Sequence, residues 1–132
     1  MSTRTLRGVA LALVVAASVS FVGIAEAGTA IDLAKGATTV KGHVKGKDFV
    51  EYTLQAKQGQ TLHAKLTSSG ENEYFDVTPP GGGERLFIGT RVGDEFTGAL
   101  PADGEYTIKV YIAGYYAAQG EEADYSLVVD LK

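Results

Sequence analysis

The sequence predicts an all-β fold, a single antiparallel β-sandwich of about 8 strands. Three observations carry this. Apolar and polar residues alternate at period 2 in one segment after another. Turn-forming residues separate those segments at roughly 8–12-residue intervals, as in small sandwiches and barrels. No stretch after residue 28 keeps a 3.6-residue apolar period, and fifteen of the glycines fall in residues 28–132, which suits turns rather than helices.

Taken in chain order, the first segment reads as a leader. Met1 to Gly8 carries Arg4 and Arg7, Val9 to Ile24 is an apolar run of 16 residues, and Ala25-Glu26-Ala27 offers small residues at both recognition positions. A charged head, an apolar middle and an A-x-A exit are the order of a secretory signal peptide. The run is shorter than the ~20 residues that span a bilayer. The expectation is a signal peptide over 1–27, cleaved after Ala27, and one domain over 28–132. That domain is placed in the periplasm or outside the cell, without membrane insertion after cleavage.

The strands follow. Ala30–Ala34 carries Ile31 and Leu33, and Thr38–Val44 turns Val40, Gly42 and Val44 inward. Asp48–Ala56 puts Val50, Tyr52, Leu54 and Ala56 on one side, and Thr61–Leu66 does so with Leu62, Ala64 and Leu66. Tyr74–Thr78, Arg85–Ile88 and Phe96–Leu100 are shorter candidates. Glu105–Ile112 and Ala123–Leu131 alternate most cleanly, with Tyr106, Ile108, Val110 and Ile112 in the first and Tyr125, Leu127, Val129 and Leu131 in the second. Lys57-Gln58-Gly59-Gln60 reads as a hairpin turn, and Pro101-Ala102-Asp103-Gly104 as a tight turn with proline and glycine in suitable positions. Pro79-Pro80-Gly81-Gly82-Gly83 cannot continue a ladder, because proline lacks the N–H and glycine loosens the backbone.

Charge and composition exclude several functions. The full chain holds 12 basic and 16 acidic residues; removing Arg4, Arg7 and Glu26 leaves ten against fifteen, a net of −5. An acidic domain does not suit nucleic acid, whose phosphates need a basic face, but it suits a basic protein partner. There is no cysteine, hence no disulfide and no thiolate chemistry. His43 and His63 are the only imidazoles and both fall on the polar side of their strands; a solvated face accounts for them, and no catalytic residue is assigned. The acidic stretches Glu71-Glu73-Asp76, Asp94-Glu95 and Glu121-Glu122-Asp124 follow no calcium-loop template and read as solvated turns. The expectation is neither a metal nor a cofactor.

One connection breaks the rhythm. Ala113 to Glu122 spans ten residues, whereas hairpin loops usually take about 2–5. Long loops on rigid sheets are where binding surfaces tend to lie. Adjacent Tyr115 and Tyr116 cannot both enter one core, so at least one should be exposed, and exposed aromatics are common at binding hot spots.

Two runs carry a family resemblance. Gly46-Lys47-Asp48-Phe49-Val50-Glu51-Tyr52-Thr53-Leu54-Gln55-Ala56-Lys57-Gln58-Gly59-Gln60 is similar to a "G-x-D-x-x-x-Y-x-x-x-A-x-x-G-Q" strand and turn. Gly98 to Tyr111, with Leu100-Pro101, Gly104 and Tyr106, is similar to an "L-P-x-x-G-x-Y-x-x-x-V" hairpin. Over about residues 38–132 the chain resembles the periplasmic inhibitors of goose-type lysozyme and, more loosely, the bacterial pre-peptidase C-terminal domain. The resemblance implies a small exported sandwich whose loop end enters a lysozyme cleft and blocks it without chemistry of its own. The family's "R-N-x-x-R" in the last loop is absent: Gly114, Tyr115, Tyr116, Ala117 and Ala118 stand there, and Lys47 replaces a frequent tyrosine. Lys47, Tyr115, Tyr116 and Gln119 are therefore the expected partner-binding residues. The alternative is a module that binds carbohydrate or cell-wall glycan by stacking Tyr111, Tyr115 and Tyr116 on sugar rings. An enzyme is the weakest reading, since no convergent set of titrating groups is visible.

Overall fold

The computed structural model describes residues 28–132; the signal-peptide reading of residues 1–27 lies outside the described residues. In chain order the elements are β1 (Thr29–Ala30), β2 (Thr38–Lys45), β3 (Phe49–Ala56), β4 (Thr61–Ser68), β5 (Glu73–Thr78), β6 (Phe87–Ile88), a helical turn α1 (Gly89–Val92), β7 (Glu95–Ala99), β8 (Gly104–Ile112), a second helical turn α2 (Gly114–Ala118) and β9 (Glu122–Leu131). They form two sheets, one ordered β1-β3-β8-β5-β6 and the other β2-β9-β4-β7. All pairings are antiparallel except that of β1, which runs parallel to β3.

The alternation read from the sequence is the alternation of the sandwich. Tyr52 and Leu54, Leu62, Ala64 and Leu66, Tyr106, Ile108 and Val110, and Tyr125, Leu127 and Val129 all point between the sheets and are buried. Two edges are shorter than the sequence suggests. The expected strand over Ala30–Ala34 ends at Ala30, because the Asp32 carboxylate accepts the Ala34 N–H at 2.9 Å and turns the chain away. The expected Arg85–Ile88 strand keeps only Phe87 and Ile88, since Arg85 leaves the ladder to pair with Asp76 at 2.6 Å.

The turns join the strands expected, but those strands do not pair with each other. Residues 57–60 do not close a hairpin: β3 and β4 lie in opposite sheets, and so do β7 and β8, joined by residues 100–103. Only β5 and β6 are consecutive strands paired with each other. The turn chemistry was read correctly, but the same short turn also serves as an arch from sheet to sheet. Gln60 fastens the first arch by accepting the Lys57 N–H on Oε1 at 2.7 Å, and Asp103 reaches across from the second arch to accept the Gln58 N–H at 2.7 Å.

Two tyrosine arrangements lock the frame. The Tyr106 hydroxyl donates to the Ala102 carbonyl at 2.6 Å and accepts the Ala102 N–H at 3.1 Å. This is a tyrosine corner, which holds the arch into β8 against the strand it enters. The Tyr52 and Tyr125 hydroxyls meet at 2.7 Å, linking β3 of one sheet to β9 of the other through the buried core. Gly42 makes room for this link, since a Cβ there would stand 2.5 Å from the Tyr125 hydroxyl oxygen. Burial, and then the bond to Tyr52, push the Tyr125 hydroxyl pKa well above the usual phenol value.

Tyr52→Phe and Tyr125→Phe should each lower the unfolding free energy by about 1 kcal/mol, because each leaves a buried hydroxyl without its partner. In urea unfolding the double variant should lose less than the sum of the two, a coupling that a double-mutant cycle reads directly.

Candidate functional site

The exposed large apolar side chains point to one end of the sandwich. Among the described residues they are Phe49, 51% exposed, Val92 and Tyr115, each 70% exposed, and Tyr116, 39% exposed. Phe49 opens β3, Val92 lies in the β6–β7 connection, and both tyrosines lie in the β8–β9 connection. The strand directions bring these segments together with the β2–β3 turn and the β4–β5 loop at the same end. We refer to it as the loop end.

Its most prominent part is the segment from Ala113 to Glu121. The sequence read this stretch as a plain loop; it contains the helical turn α2. The Ala117 N–H donates to the Ala113 carbonyl at 2.8 Å to start the turn. Gly120, at φ +79°, ends it: its N–H donates to Ala117 at 3.0 Å, and the Glu121 N–H donates back to Tyr116 at 3.2 Å. This pair of bonds around a left-handed glycine is a Schellman closure. Alanine at 117 packs into the core while Tyr115 and Tyr116 stay outside. Their rings stand edge to face, centroids 5.1 Å apart at 89°.

Both neighbouring loops hold this turn in place. The Gly46 N–H donates to the Glu121 carbonyl at 2.7 Å, which sets the β2–β3 turn, and with it exposed Lys47, beside α2. On the other side the Ala113 N–H donates to the Asn72 carbonyl at 2.9 Å, and the Asn72 amide nitrogen donates to the Glu121 carboxylate at 3.2 Å. Gln119, at the C-terminus of the turn, is also exposed. The four residues singled out from the sequence thus share one end of the molecule.

The outer face of the first sheet continues from this end. Phe49, Tyr111 and Tyr74 are register partners on β3, β8 and β5, forming one aromatic row. The next row is Glu51, Lys109 and Asp76. The Lys109 ammonium sits 4.4 Å from the centre of the Phe49 ring and 5.8 Å from that of Tyr111. The Tyr111 hydroxyl donates to Asp76 Oδ1 at 2.8 Å; partial burial and that carboxylate push its pKa up to about 12.

Two of the acidic residues read as solvated turns are buried in β5. Asp76 is satisfied by Tyr111, by the Arg85 guanidinium at 2.6 Å and by the Gly89 N–H at 3.1 Å. Glu73 is 5% exposed and sits on the inward side of the strand, opposite Ile112. Its Oε1 accepts the Ser68 hydroxyl at 2.5 Å, while its Oε2 has no partner. The sequence held one signal for Glu73, a charge on apolar parity; for Phe49 the signal was an aromatic on polar parity. Val92 had none.

The histidines lie on the outer face of the second sheet, as their parity requires. His43 is held between Asp124, 2.7 Å from Nδ1, and Glu122, 2.9 Å from Nε2; bonds to these carboxylates raise its pKa. His63 bonds to Glu95 at 2.6 Å, which together with Lys65 lowers the pKa of that carboxyl. No group of three or more His, Cys, Asp or Glu among the described residues is arranged to hold a metal ion. None of the helices there is long and apolar enough to cross a membrane.

No family model matches the chain. Two inhibitors of g-type lysozyme are similar to it. The Escherichia coli (strain K12) protein named "Inhibitor of g-type lysozyme" is 26% identical over 138 residues, covering all of both chains. The crystal structure of PliG from Aeromonas hydrophila, described as a periplasmic lysozyme inhibitor of g-type lysozyme, is 34% identical with a TM-score of 0.72, over 79% of this chain and 95% of that one. The pre-peptidase C-terminal domain of a Bacillus anthracis collagenase has the same fold at 18% identity, with a TM-score of 0.57 over 80% of this chain and 94% of that one.

Gly120→Ala should loosen the loop end by about 1 kcal/mol, since alanine is strained at positive φ. Faster amide hydrogen exchange at Gly46, Ala113 and Glu121, with the strands unchanged, is the expected readout. His43 should titrate above the ordinary value of 6.5, and Asp124→Asn should bring it down, as read from its ring-proton NMR shifts. Because its folded pKa is raised, the stability it adds is full below the unfolded value and is lost as pH rises through the folded one.

Proposed function

The chain belongs to the family of periplasmic inhibitors of g-type lysozyme, and we propose that it acts as one, blocking the enzyme's cleft with its loop end and doing no chemistry itself. The observation that carries this is the gathering of all four exposed large apolar side chains of the described residues at that end. The backbone beneath Tyr115 and Tyr116 is already fixed by the Schellman closure and by the tethers from Gly46 and Asn72. A preordered loop loses little entropy on binding, so more of its contact energy appears as affinity.

In this reading Tyr115 and Tyr116 are the inserted side chains, with Lys47 and Gln119 as polar contacts at their margin. The edge-to-face pair offers two aromatic surfaces at the positions where the family resemblance implies arginines. The acidic charge of the domain steers a basic enzyme toward it, which raises the association rate more than the final affinity. Blocking a cleft requires shape and residence time, not a nucleophile.

A second reading rests on the row Phe49, Tyr111 and Tyr74. Aromatic rings in line on a sheet face suit stacking on sugar rings, so cell-wall glycan is the other candidate ligand. The Tyr111 hydroxyl at the middle of this row is already committed to Asp76 and the residue is partly buried, which favours the loop end as the primary surface.

The test is lysis of cell-wall substrate by goose-type, chicken-type and invertebrate-type lysozymes in the presence of this protein. Inhibition of the goose type alone is expected. Tyr115→Ala and Tyr116→Ala should each weaken it by about 30-fold, corresponding to the ~2 kcal/mol of a hot-spot aromatic, with unfolding midpoints unchanged because both rings are exposed. Full inhibition by both variants would place the contact elsewhere. Retention on insoluble cell wall that is lost in Tyr111→Ala would instead support the glycan reading.

A further inference from the structure

Glu73 stands where the fold calls for an apolar side chain. It opens β5 on the inward face, opposite Ile112 and in line with Phe75 and Val77. One carboxylate oxygen has only the Ser68 hydroxyl, and the other has nothing. A buried polar atom without a partner is destabilising, and a charge in that position more so. An apolar residue of similar size would serve the core better, so the retained carboxylate needs another reason.

Its surroundings supply one. Glu73 lines a cleft of about 710 Å³ at the loop end, with Ser68, Gly70, Glu71, Tyr74 and Asp94 among its walls. Three of the lining residues are acidic. The basic one, Lys65, lies 3.9 Å from Glu95 and is engaged there. What covers the carboxylate is the side-chain-free backbone at Gly70, where a Cβ would stand 2.7 Å from Oε1 and 3.1 Å from Oε2. The acidic residues are not gathered as a metal cage needs. A carboxylate with one oxygen unpaired, in an acidic cleft with an aromatic wall, has the chemistry that a guanidinium completes: bidentate bonds to the oxygens and stacking on the ring.

We propose that Glu73 is the anchor for an arginine side chain of the protein partner, which enters this cleft as the Gly70 segment shifts aside. The proposal rests on the reading of the loop end as the contact surface and adds a second point of attachment to it, distinct from Tyr115 and Tyr116. Partner recognition is then two-part: tyrosines of this chain enter the partner, and a basic side chain of the partner enters this chain.

Two measurements test it. The first uses methylguanidinium chloride as the probe, followed by the amide NMR shifts of Gly70, Asn72 and Tyr74, with sodium chloride at equal ionic strength as reference. Saturable shifts that vanish in Glu73→Gln are expected. No saturable shift, the same shifts in Glu73→Gln, or saturation by calcium chloride instead would each overturn the proposal. The second measures binding to a goose-type lysozyme. Glu73→Gln should raise Kd by about 30-fold or more, the loss typical of truncating a buried charge pair at an interface. The double variant Glu73→Met, Ser68→Ala should bind as weakly yet melt at or above the wild-type temperature, which a merely structural glutamate would not do. Wild-type affinity in both variants would overturn the Glu73 anchor and leave the lysozyme reading standing. Saturable methylguanidinium shifts with no lysozyme binding by the wild type would do the reverse.

Discussion

The chain must pass from the centre of one sheet to the centre of the other between its last two long strands, and much of the molecule follows from that. β8 lies between β3 and β5, and β9 between β2 and β4. Packed sheets stand roughly 10 Å apart, a gap that residues 57–60 arch directly between β3 and β4. The connection from β8 to β9 is longer: it rises above the end of the sandwich, coils into one helical turn and is brought down by a left-handed glycine. Because it passes over the middle of the end, it is flanked by the β2–β3 turn and the β4–β5 loop, and its hydrogen bonds go to both. Exposure of the tyrosines and rigidity of their backbone thus both come from the course of this one connection.

The same end is where the core gives up some stability. The interior elsewhere is aliphatic and aromatic, with paired hydroxyls where polar atoms enter. β5 carries two buried carboxylates, Glu73 on its inward face and Asp76 on its outward one. Asp76 is fully engaged and fixes Arg85, Tyr111 and the start of α1, so it repays its burial in order. Glu73 is half engaged and does not. Departures from consistent local rules are expected where a surface has been shaped for something other than folding, and this one lies beside the loop that the exposed residues already mark.

The period-2 alternation in the sequence made the strands legible, because inward positions such as Leu62, Ala64, Leu127 and Val129 see only the other sheet. Pairing was less legible. Short turns with glycine and proline look the same whether they close a hairpin or arch to the opposite sheet, so residues 57–60 read as a hairpin turn and the tight turn at Pro101–Gly104 gives no sign of the change of sheet. The Ala113–Glu122 connection was visible by its length, and its tyrosines by their adjacency. Its helical turn was not, since five residues hold too little of a 3.6-residue period. Asp76 and Glu73 looked like solvated turn residues because their burial comes from how the chain folds over them: Arg85 and Tyr111 close on one, and the β4–β5 loop at Ser68 and Gly70 folds back on the other.

The arrangement of strands also sets a timetable. Thr38 in β2 pairs with Val129 in β9, and β4 takes its central neighbour from β9 as well. Nearly all other strand partners are likewise distant along the chain. Proteins dominated by such non-local pairings fold slowly. Half of the second sheet cannot form until the final residues are available, so an incomplete chain has no stable sandwich to close. The sandwich therefore becomes compact as a unit, when its last strand arrives.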